Sequence, residues 1–312
     1  MQTITLGRTG LEVTVVGLGC GGHSRLGMAT GRDEAHATRV VHAALDLGIN
    51  FIDTARAYGT EAAVGKAIRG RRDEIVLSTK ALPVGASGPL GADDLRESLE
   101  RSLERLGTDY IDVFHLHGVR ADQYAHCIDE LLPELVRARE AGKIRFVGIT
   151  ERFGNDTSHA MLDRALPDDL FDVIMVGHNL LNPSARRSVF PLTLANDVGT
   201  LIMFAVRRAL TSTQNVRAIV ETLIEAGAVD ARRVDRVDPL GFVTAHPHVK
   251  SLVEAAYRFC RYEPGAHVIL TGTGSVEHLR ENVESILEPP LPPEITARLT
   301  EIFGAVDSVS GD

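Results

Sequence analysis

The chain has 312 residues and is 44% hydrophobic, which is enough apolar material for one large domain or two small ones. Its formal net charge of −9 argues against nucleic acid as a partner. The sequence has no run of about 18 apolar residues and no secretory signal pattern, and its three cysteines are scattered. These features predict a cytoplasmic protein with neither a membrane partner nor a disulfide framework.

Short apolar runs alternate with helix-period segments along most of the chain. A glycine-bearing turn between two apolar stretches predicts a β-hairpin over residues 1–14 that closes the bottom of the fold. Helical patterns separate the later runs, as in the leucine stripe at residues 95–106. The eight strand-like runs are residues 13–18, 51–53, 75–79, 111–116, 146–149, 173–176, 200–204 and 268–271. Eight β/α units in about 300 residues fit a closed (β/α)8 TIM barrel, predicted here as one domain over residues 1–312.

A doubly wound open sheet is the alternative fold, and it would place a glycine-rich turn after the first strand. The segment GLGCGG at residues 17–22 is such a turn, but its spacing is not that of a dinucleotide fingerprint. The next acidic residue, Asp33, opens a helix instead of ending a second strand. We therefore interpret the segment as a tight loop at the barrel mouth, where glycines let the backbone approach a ligand.

One long segment breaks the β/α rhythm. Residues 207–248 follow the seventh strand and contain a helical pattern at residues 216–226, then the charged stretch ARRVDRVDPLGF. Long loops in compact domains are usually functional or disordered. We predict a long insertion that acts as a lid over substrate or cofactor, with a disordered segment as the alternative.

Four polar side chains fall at or just after predicted strand ends: Asp53, Tyr58, Lys80 and His117. Because strand ends meet at one face of a parallel barrel, these side chains are expected to lie together. An unperturbed phenol has a pKa of about 10, which a nearby ammonium lowers, and a carboxylate can hold that ammonium in place. A histidine can orient a substrate oxygen or relay a proton. The set indicates proton transfer to or from a carbonyl or alcohol oxygen.

These residues and several longer segments resemble the aldo-keto reductase family along nearly the whole chain. The matching segments are LGRTGLEVTVVGLG, NFIDTARAYG, the strand that ends at Lys80, DYIDVFHLH and EAGKIRFVGI. The resemblance implies an oxidoreductase that transfers a hydride between a nicotinamide cofactor and an aldehyde, ketone or sugar. It also implies Tyr58 as the proton donor or acceptor, with its pKa lowered by Lys80. Asp53 then holds Lys80, and His117 hydrogen-bonds the substrate oxygen.

The resemblance places the nicotinamide carboxamide after the fifth and sixth strands, where this chain departs from the family pattern. Thr150 and Glu151 stand in place of the usual Ser-Asn pair, and Met175 stands in place of a glutamine. Thr150 keeps a hydroxyl, Glu151 can accept from the amide NH2, and Met175 accepts only weakly. Phe204, at the end of the seventh strand, is expected to stack on the nicotinamide.

The loop after the eighth strand carries glycines and hydroxyls before a helical run, and it is expected to bind the cofactor pyrophosphate. The positions that match phosphate or adenine contacts of the family are Gly272, Thr273, Ser275, His278, Glu281 and Asn282. None of the positions that match the family's 2′-phosphate site is firmly cationic, and Arg207 and Arg208 could substitute there. The family pattern favours NADP(H), whereas these positions favour NAD(H) as the alternative.

Two further interpretations concern redox sensing and metal binding. The altered carboxamide contacts favour a nucleotide-binding regulatory protein with little turnover, whereas the intact set of four polar residues argues against it. His115 and His117 form an H-x-H pair, but no third ligand is evident, so we predict no metal and a barrel-core position for His115. The expected partner is a small carbonyl or alcohol substrate.

Overall fold

The computed structural model describes residues 1–86 and 88–312, and eight of its strands close into a barrel. In chain order the strands are β1 (Thr3–Thr5), β2 (Glu12–Thr14), β3 (Val16–Gly19), β4 (Phe51–Asp53), β5 (Val76–Ala81), β6 (Val84–Gly85), β7 (Gly88–Pro89), β8 (Ile111–Val119), β9 (Ile144–Glu151), β10 (Val173–Gly177), β11 (Gly199–Met203) and β12 (Val268–Thr271). The barrel order is β3, β4, β5, β8, β9, β10, β11 and β12, and all neighbouring pairs are parallel. The predicted (β/α)8 fold is confirmed.

Helices surround the barrel strands. They are α1 (Glu34–Asp46), α2 (Glu61–Ala67), α3 (Ala92–Leu106), α4 (Tyr124–His126), α5 (Leu132–Glu140), α6 (Ala160–Asp168), α7 (Ala185–Ser188), α8 (Phe190–Ala195), α9 (Thr213–Glu225), α10 (Gly241–Thr244), α11 (Leu252–Arg261), α12 (Val276–Leu287) and α13 (Pro293–Phe303). The predicted leucine stripe of α3 is buried. Within the described ranges, no helix is long and apolar enough to cross a membrane.

The N-terminal hairpin closes one end of the barrel, as predicted. β1 and β2 pair antiparallel, and Leu6, Leu11 and Val13 belong to one buried cluster with side chains inside the barrel. The barrel members of this cluster are Phe51, Val76, Val113, Val173, Met175, Leu201 and Val268. Most of them come from the first residues of their strands, so the filled end is the amino-terminal one. The carboxyl ends of the strands are left as the face that can receive a ligand.

Several strand boundaries differ from the prediction, and three of the differences matter for the fold or the site. The run at residues 13–18 is divided at Val15, whose N–H donates to Gln2 O, so that its first part joins the hairpin and its second part the barrel. The run at residues 200–204 ends at Met203, because Phe204 adopts a left-handed φ of 65° that a strand cannot continue. β8 extends to Val119, so His117 lies within a strand.

The long insertion after β11 is folded. Its main element is α9, which starts three residues before the predicted helix because Ser212 caps it by accepting from Asn215 N at 3.2 Å. One face of α9 is buried through Val216, Val220 and Leu223. The disordered alternative is therefore wrong for this segment, and its role as a lid stays a prediction.

Two glycines of the barrel wall receive rings from neighbouring segments. The ring of His115 on β8 lies over Gly148 on β9, where a Cβ would be 2.2 Å from Nδ1. The ring of Phe153 lies over Gly177 at the end of β10, where a Cβ would be 2.1 Å from Cγ. Both distances are far below van der Waals contact, so only glycine leaves room for the ring.

Candidate active site

The structure brings the four predicted polar residues together at the carboxyl ends of the strands. Asp53 ends β4, Lys80 lies in β5 and His117 lies in β8, which are three successive barrel strands. Tyr58 ends the short 3-10 turn Arg56–Tyr58 that follows β4. Because the strands are parallel, their final side chains share one face, which is why residues distant in sequence meet there.

Lys80 is a fully buried ammonium with all three of its N–H groups occupied. It donates at 2.6 Å to each carboxylate oxygen of Asp53 and at 2.8 Å to Thr54 O. Burial raises the pKa of Asp53, and the Lys80 charge opposes that rise. Burial lowers the pKa of Lys80, and Asp53 and Tyr58 more than compensate. Since Asp53 also accepts from Ser78 Oγ at 2.7 Å, we assign the pair as carboxylate and ammonium.

Tyr58 presents its hydroxyl to His117. The Tyr58 oxygen lies 3.3 Å from His117 Nε2, and the two rings meet edge to face. Lys80 Nζ lies 5.1 Å from the centre of the Tyr58 ring. Burial raises the pKa of Tyr58 and outweighs the lowering by Lys80. The net shift is therefore opposite to the sequence-based expectation, and Tyr58 is a neutral phenol at neutral pH.

His117 is a neutral imidazole. Burial, assisted by the Lys80 charge, lowers the pKa of His117 to about 3. Its Nδ1 has no hydrogen-bond partner among the described residues, whereas its Nε2 contacts the Tyr58 hydroxyl. His115 is fully buried as predicted, and burial holds its pKa well below the usual value. No group of three or more metal-ligating side chains occurs in the described part of the chain.

Gly21 leaves the space that the Tyr58 ring occupies. A Cβ at Gly21 would lie 2.7 Å from Cε2 and Cζ of Tyr58. We expect Gly21→Ala to displace the hydroxyl and to lower kcat by about tenfold to a hundredfold, with little loss of thermal stability. Steady-state kinetics and a melting curve measure both effects. Gly154→Ala is the matched control, because its Cβ would meet nothing within 4 Å, and equal rates for the two variants would contradict the prediction.

The predicted carboxamide contacts are only partly available. Thr150 is buried, and its Oγ1 accepts from Gly118 N at 2.7 Å, so its hydrogen can still be donated. Glu151 is buried, and its oxygens accept from Gly177 N at 2.7 Å and contact His159 at 3.0 and 3.1 Å. The contact of Glu151 with the amide NH2 stays a prediction. Met175 packs in the barrel core.

A buried polar cluster, which sequence reasoning missed, explains the position of Glu151. His159 Nε2 lies 2.8 Å from Ser184 Oγ, and that hydroxyl donates to Asn182 Oδ1 at 2.5 Å. Since Ser184 has only one hydrogen, His159 must donate from Nε2. The other ring nitrogen, Nδ1, contacts both carboxylate oxygens of Glu151. His159 also has a φ of 68°, a backbone state that no sequence pattern announces.

Phe204 lies at the mouth between a ring and a cation. Phe153 meets it edge to face at 5.3 Å between ring centres, and Arg207 Cζ lies 3.7 Å from its ring centre. Its left-handed φ is uncommon for a residue other than glycine and is typical of functional sites. Arg208 is instead exposed, and it begins the 3-10 helix Arg208–Thr211. The two arginines therefore differ, and only Arg207 is anchored at the mouth.

The predicted phosphate loop leads into the start of α12. Ser275 caps the helix by accepting from His278 N at 3.3 Å, and Thr273 Oγ1 accepts from Ser275 N at 3.1 Å. Gly272 faces the end of β3, where a Cβ would lie 2.9 Å from Gly19 O. The first-turn amides of α12 and these hydroxyls form a set of donors suited to an anion.

The predicted adenine contacts lie along α12. His278 and Glu281 are exposed, one turn apart. Asn282 is half-buried and donates to Thr271 Oγ1 at 2.8 Å. The three side chains thus share the helix that follows the phosphate loop, and their contacts with a nucleotide stay a prediction.

Comparison with known proteins identifies the class. The sequence model of the Aldo/keto reductase family matches residues 17–303, and the chain belongs to this family. It is accordingly an oxidoreductase. The resemblance found in the sequence is confirmed.

Individual relatives match along almost the whole chain. L-galactose dehydrogenase of Arabidopsis thaliana is 28% identical, and the match covers 91% of this chain and 87% of that protein. Aldo-keto reductase YhdN of Bacillus subtilis is 30% identical, and the match covers 90% of this chain and 88% of that protein. The solved holo form of aldo-keto reductase AKR11C1 from Bacillus halodurans superposes with a TM-score of 0.73 at 26% identity, over 99% of this chain and 98% of that one.

Proposed function

We propose that this oxidoreductase transfers a hydride between a nicotinamide dinucleotide and the carbonyl or alcohol carbon of a small aldehyde, ketone or sugar. The observation that carries the proposal is the 3.3 Å contact between the Tyr58 hydroxyl and His117 Nε2, beside the buried Lys80–Asp53 pair. The nicotinamide supplies the hydride when it is bound. The chain supplies binding, orientation and the proton.

Each of the four residues has a distinct role in reduction. Tyr58 is protonated at neutral pH because its pKa is raised, so it can donate to the carbonyl oxygen. Neutral His117 can direct Nε2 to the same oxygen and hold it in line. The Lys80 ammonium, fixed by Asp53, stabilises the phenolate that remains after proton transfer. In oxidation the same phenolate would act as the base.

The mouth of the barrel fits a dinucleotide. The partly exposed Phe204 ring offers an apolar surface for the nicotinamide, and the hydrogen of Thr150 is free for the carboxamide. The loop at Gly272 and the first turn of α12 offer amides and hydroxyls for phosphates. We infer NADP(H) as the cofactor from the family pattern. NAD(H) is the alternative, because His278 and the neighbouring glycines give no firm cation for a 2′-phosphate.

A hydroxylated substrate is favoured over a bulky apolar one. The reacting Tyr58 and His117 are accompanied by His23 in the loop after β3 and by Arg207, so the mouth is polar. The similarity to L-galactose dehydrogenase supports a sugar or a related small carbonyl compound. A redox-sensing protein with little turnover is the second candidate, because Glu151 is engaged elsewhere and Met175 is in the core.

Parallel titrations with NADPH and NADH test the proposal. The fluorescence of the reduced nicotinamide is the signal, because the chain lacks tryptophan. We expect NADPH to bind more tightly than NADH. A carbonyl screen with the preferred cofactor then measures turnover. Failure of both dinucleotides to bind would contradict the proposal.

A further inference from the structure

Residues 309–312, called the strap below, lie against the loops that follow β10 and β11. Three successive carbonyls of the strap are held by fixed donors: Val309 O accepts from Asn182 Nδ2 at 2.8 Å, Ser310 O from Asn179 Nδ2 at 3.1 Å, and Gly311 O from Ala209 N at 2.9 Å. Both asparagines are almost fully buried. The strap is therefore attached to the ligand-receiving face by specific contacts.

Arg207 is a cation in contact with the strap, since its Cβ would lie 3.5 Å from a Cβ built on Gly311. Its guanidinium stacks on Phe204 and lies opposite the loop after β3, where a Cβ on Gly22 would be 4.0 Å from Nη1. Its N–H groups have no hydrogen-bond acceptor among the described residues, although its side chain is only 21% exposed. A guanidinium that is held in place but has unused donors is suited to bind an anion.

The strap places a carboxylate beside this guanidinium. Asp312 Oδ2 lies 3.9 Å from Arg207 Nε, and Asp312 Oδ1 lies 3.6 Å from His23 Nε2. Both distances exceed that of a hydrogen bond, so the ion pair is loose. Asp312 is 38% exposed, and a surface ion pair of this kind is weak. An anionic group with better geometry can therefore displace it.

We propose that Arg207 is the anchor for an anionic group of a ligand at the barrel mouth and that Asp312 of the strap competes with that group for the guanidinium. Binding of the anion breaks the ion pair between Arg207 and Asp312 and frees this end of the strap. The strap thus lowers affinity for anionic ligands at this site. The inference rests on the proposed function for the identity of the ligand, which is a dinucleotide phosphate or a carboxylate on the substrate.

The test compares anion binding by wild type, Asp312→Asn and Asp307→Asn. Asp307 is the matched control, because it lies near the strap but pairs with Arg187 at 3.7 Å. Calorimetry with inorganic pyrophosphate is expected to show about two- to fivefold tighter binding by Asp312→Asn and no change for Asp307→Asn. Arg207→Gln is expected to weaken binding by about tenfold or more.

The same measurement on Asp312→Asn/Arg207→Gln isolates the contact. The gain in pyrophosphate affinity from Asp312→Asn should disappear when Arg207 is replaced, because Asp312 and the anion then no longer compete for the guanidinium. A gain that persists in that background would overturn the proposal. The proposal would also be overturned if wild type and Asp312→Asn had equal affinities for pyrophosphate, NADPH and succinic semialdehyde.

Two further arms identify the source of the anion. If it is a dinucleotide phosphate, Asp312→Asn tightens NADPH binding. If it is on the substrate, Asp312→Asn lowers KM for succinic semialdehyde and leaves KM for butanal, its uncharged analogue, unchanged. Wild type that neither binds a dinucleotide nor reduces an aldehyde would count against the proposed function. The pyrophosphate comparison would still decide the competition between Asp312 and the anion.

Discussion

Replacement of Tyr58 by phenylalanine is expected to lower kcat for carbonyl reduction by about a hundredfold to ten-thousandfold, the range that one positioned proton donor contributes. The change removes only the hydroxyl that faces His117, while the ring still fills the space above Gly21. Dinucleotide affinity should therefore stay within about twofold of wild type, because no interaction with the cofactor is removed. Steady-state kinetics and fluorescence titration measure the two quantities.

A matched control is available at another tyrosine. Tyr262 donates its hydroxyl to Glu288 O at 3.0 Å on the outside of the barrel, so Tyr262→Phe makes the same chemical change away from the mouth. We expect that variant to keep wild-type turnover. Unchanged kcat in Tyr58→Phe would exclude Tyr58 as the proton donor and favour the regulatory alternative. Loss of cofactor binding in Tyr58→Phe would indicate that the hydroxyl has a structural role.

Replacement of Lys80 by methionine is expected to reduce both stability and turnover. The variant leaves the buried Asp53 carboxylate without its ammonium, and breaking a buried ion pair costs about 3–5 kcal/mol of unfolding free energy. Turnover should fall by at least about tenfold, because the phenolate form of Tyr58 loses the charge that stabilises it. Urea denaturation and steady-state kinetics at saturating cofactor measure the two losses.

A double variant separates the structural effect from the catalytic one. Asp53→Asn/Lys80→Met removes both charges, and it is expected to regain most of the lost stability because no unpaired ion remains buried. Its turnover should stay as low as that of Lys80→Met. Stability that remains as low as in the single variant would show that the ion pair itself contributes to folding. Recovery of turnover would exclude a role for Lys80 in proton transfer.

The sequence was sufficient to predict the architecture and the grouping of the four polar residues. Apolar runs marked the strands, and parallel strands must bring their last side chains to one face, so Asp53, Lys80 and His117 had to be close. The N-terminal hairpin could also be predicted from a short stretch of sequence, since its turn lies between two apolar stretches. These inferences needed only spacing and chain order.

The remaining features depend on contacts between distant segments. Glu151 accepts from Gly177 N and contacts His159, whose left-handed backbone has no sequence signal. The pKa of Tyr58 depends on how deeply the folded chain buries it, and that burial outweighs Lys80. The position of Asp312 beside Arg207 depends on hydrogen bonds from loops more than a hundred residues earlier in the chain.

The two rings that lie over glycines determine the order in which substitutions can be accepted at the ring and glycine positions. No side chain can be added at Gly148 until the ring of His115 has been replaced, and the same holds for Gly177 and Phe153. Each pair therefore behaves as a single unit in evolution, in which the larger member must shrink first. Since Phe153 also touches Phe204 at the mouth, a change of ligand preference there is restricted by a glycine in the barrel wall.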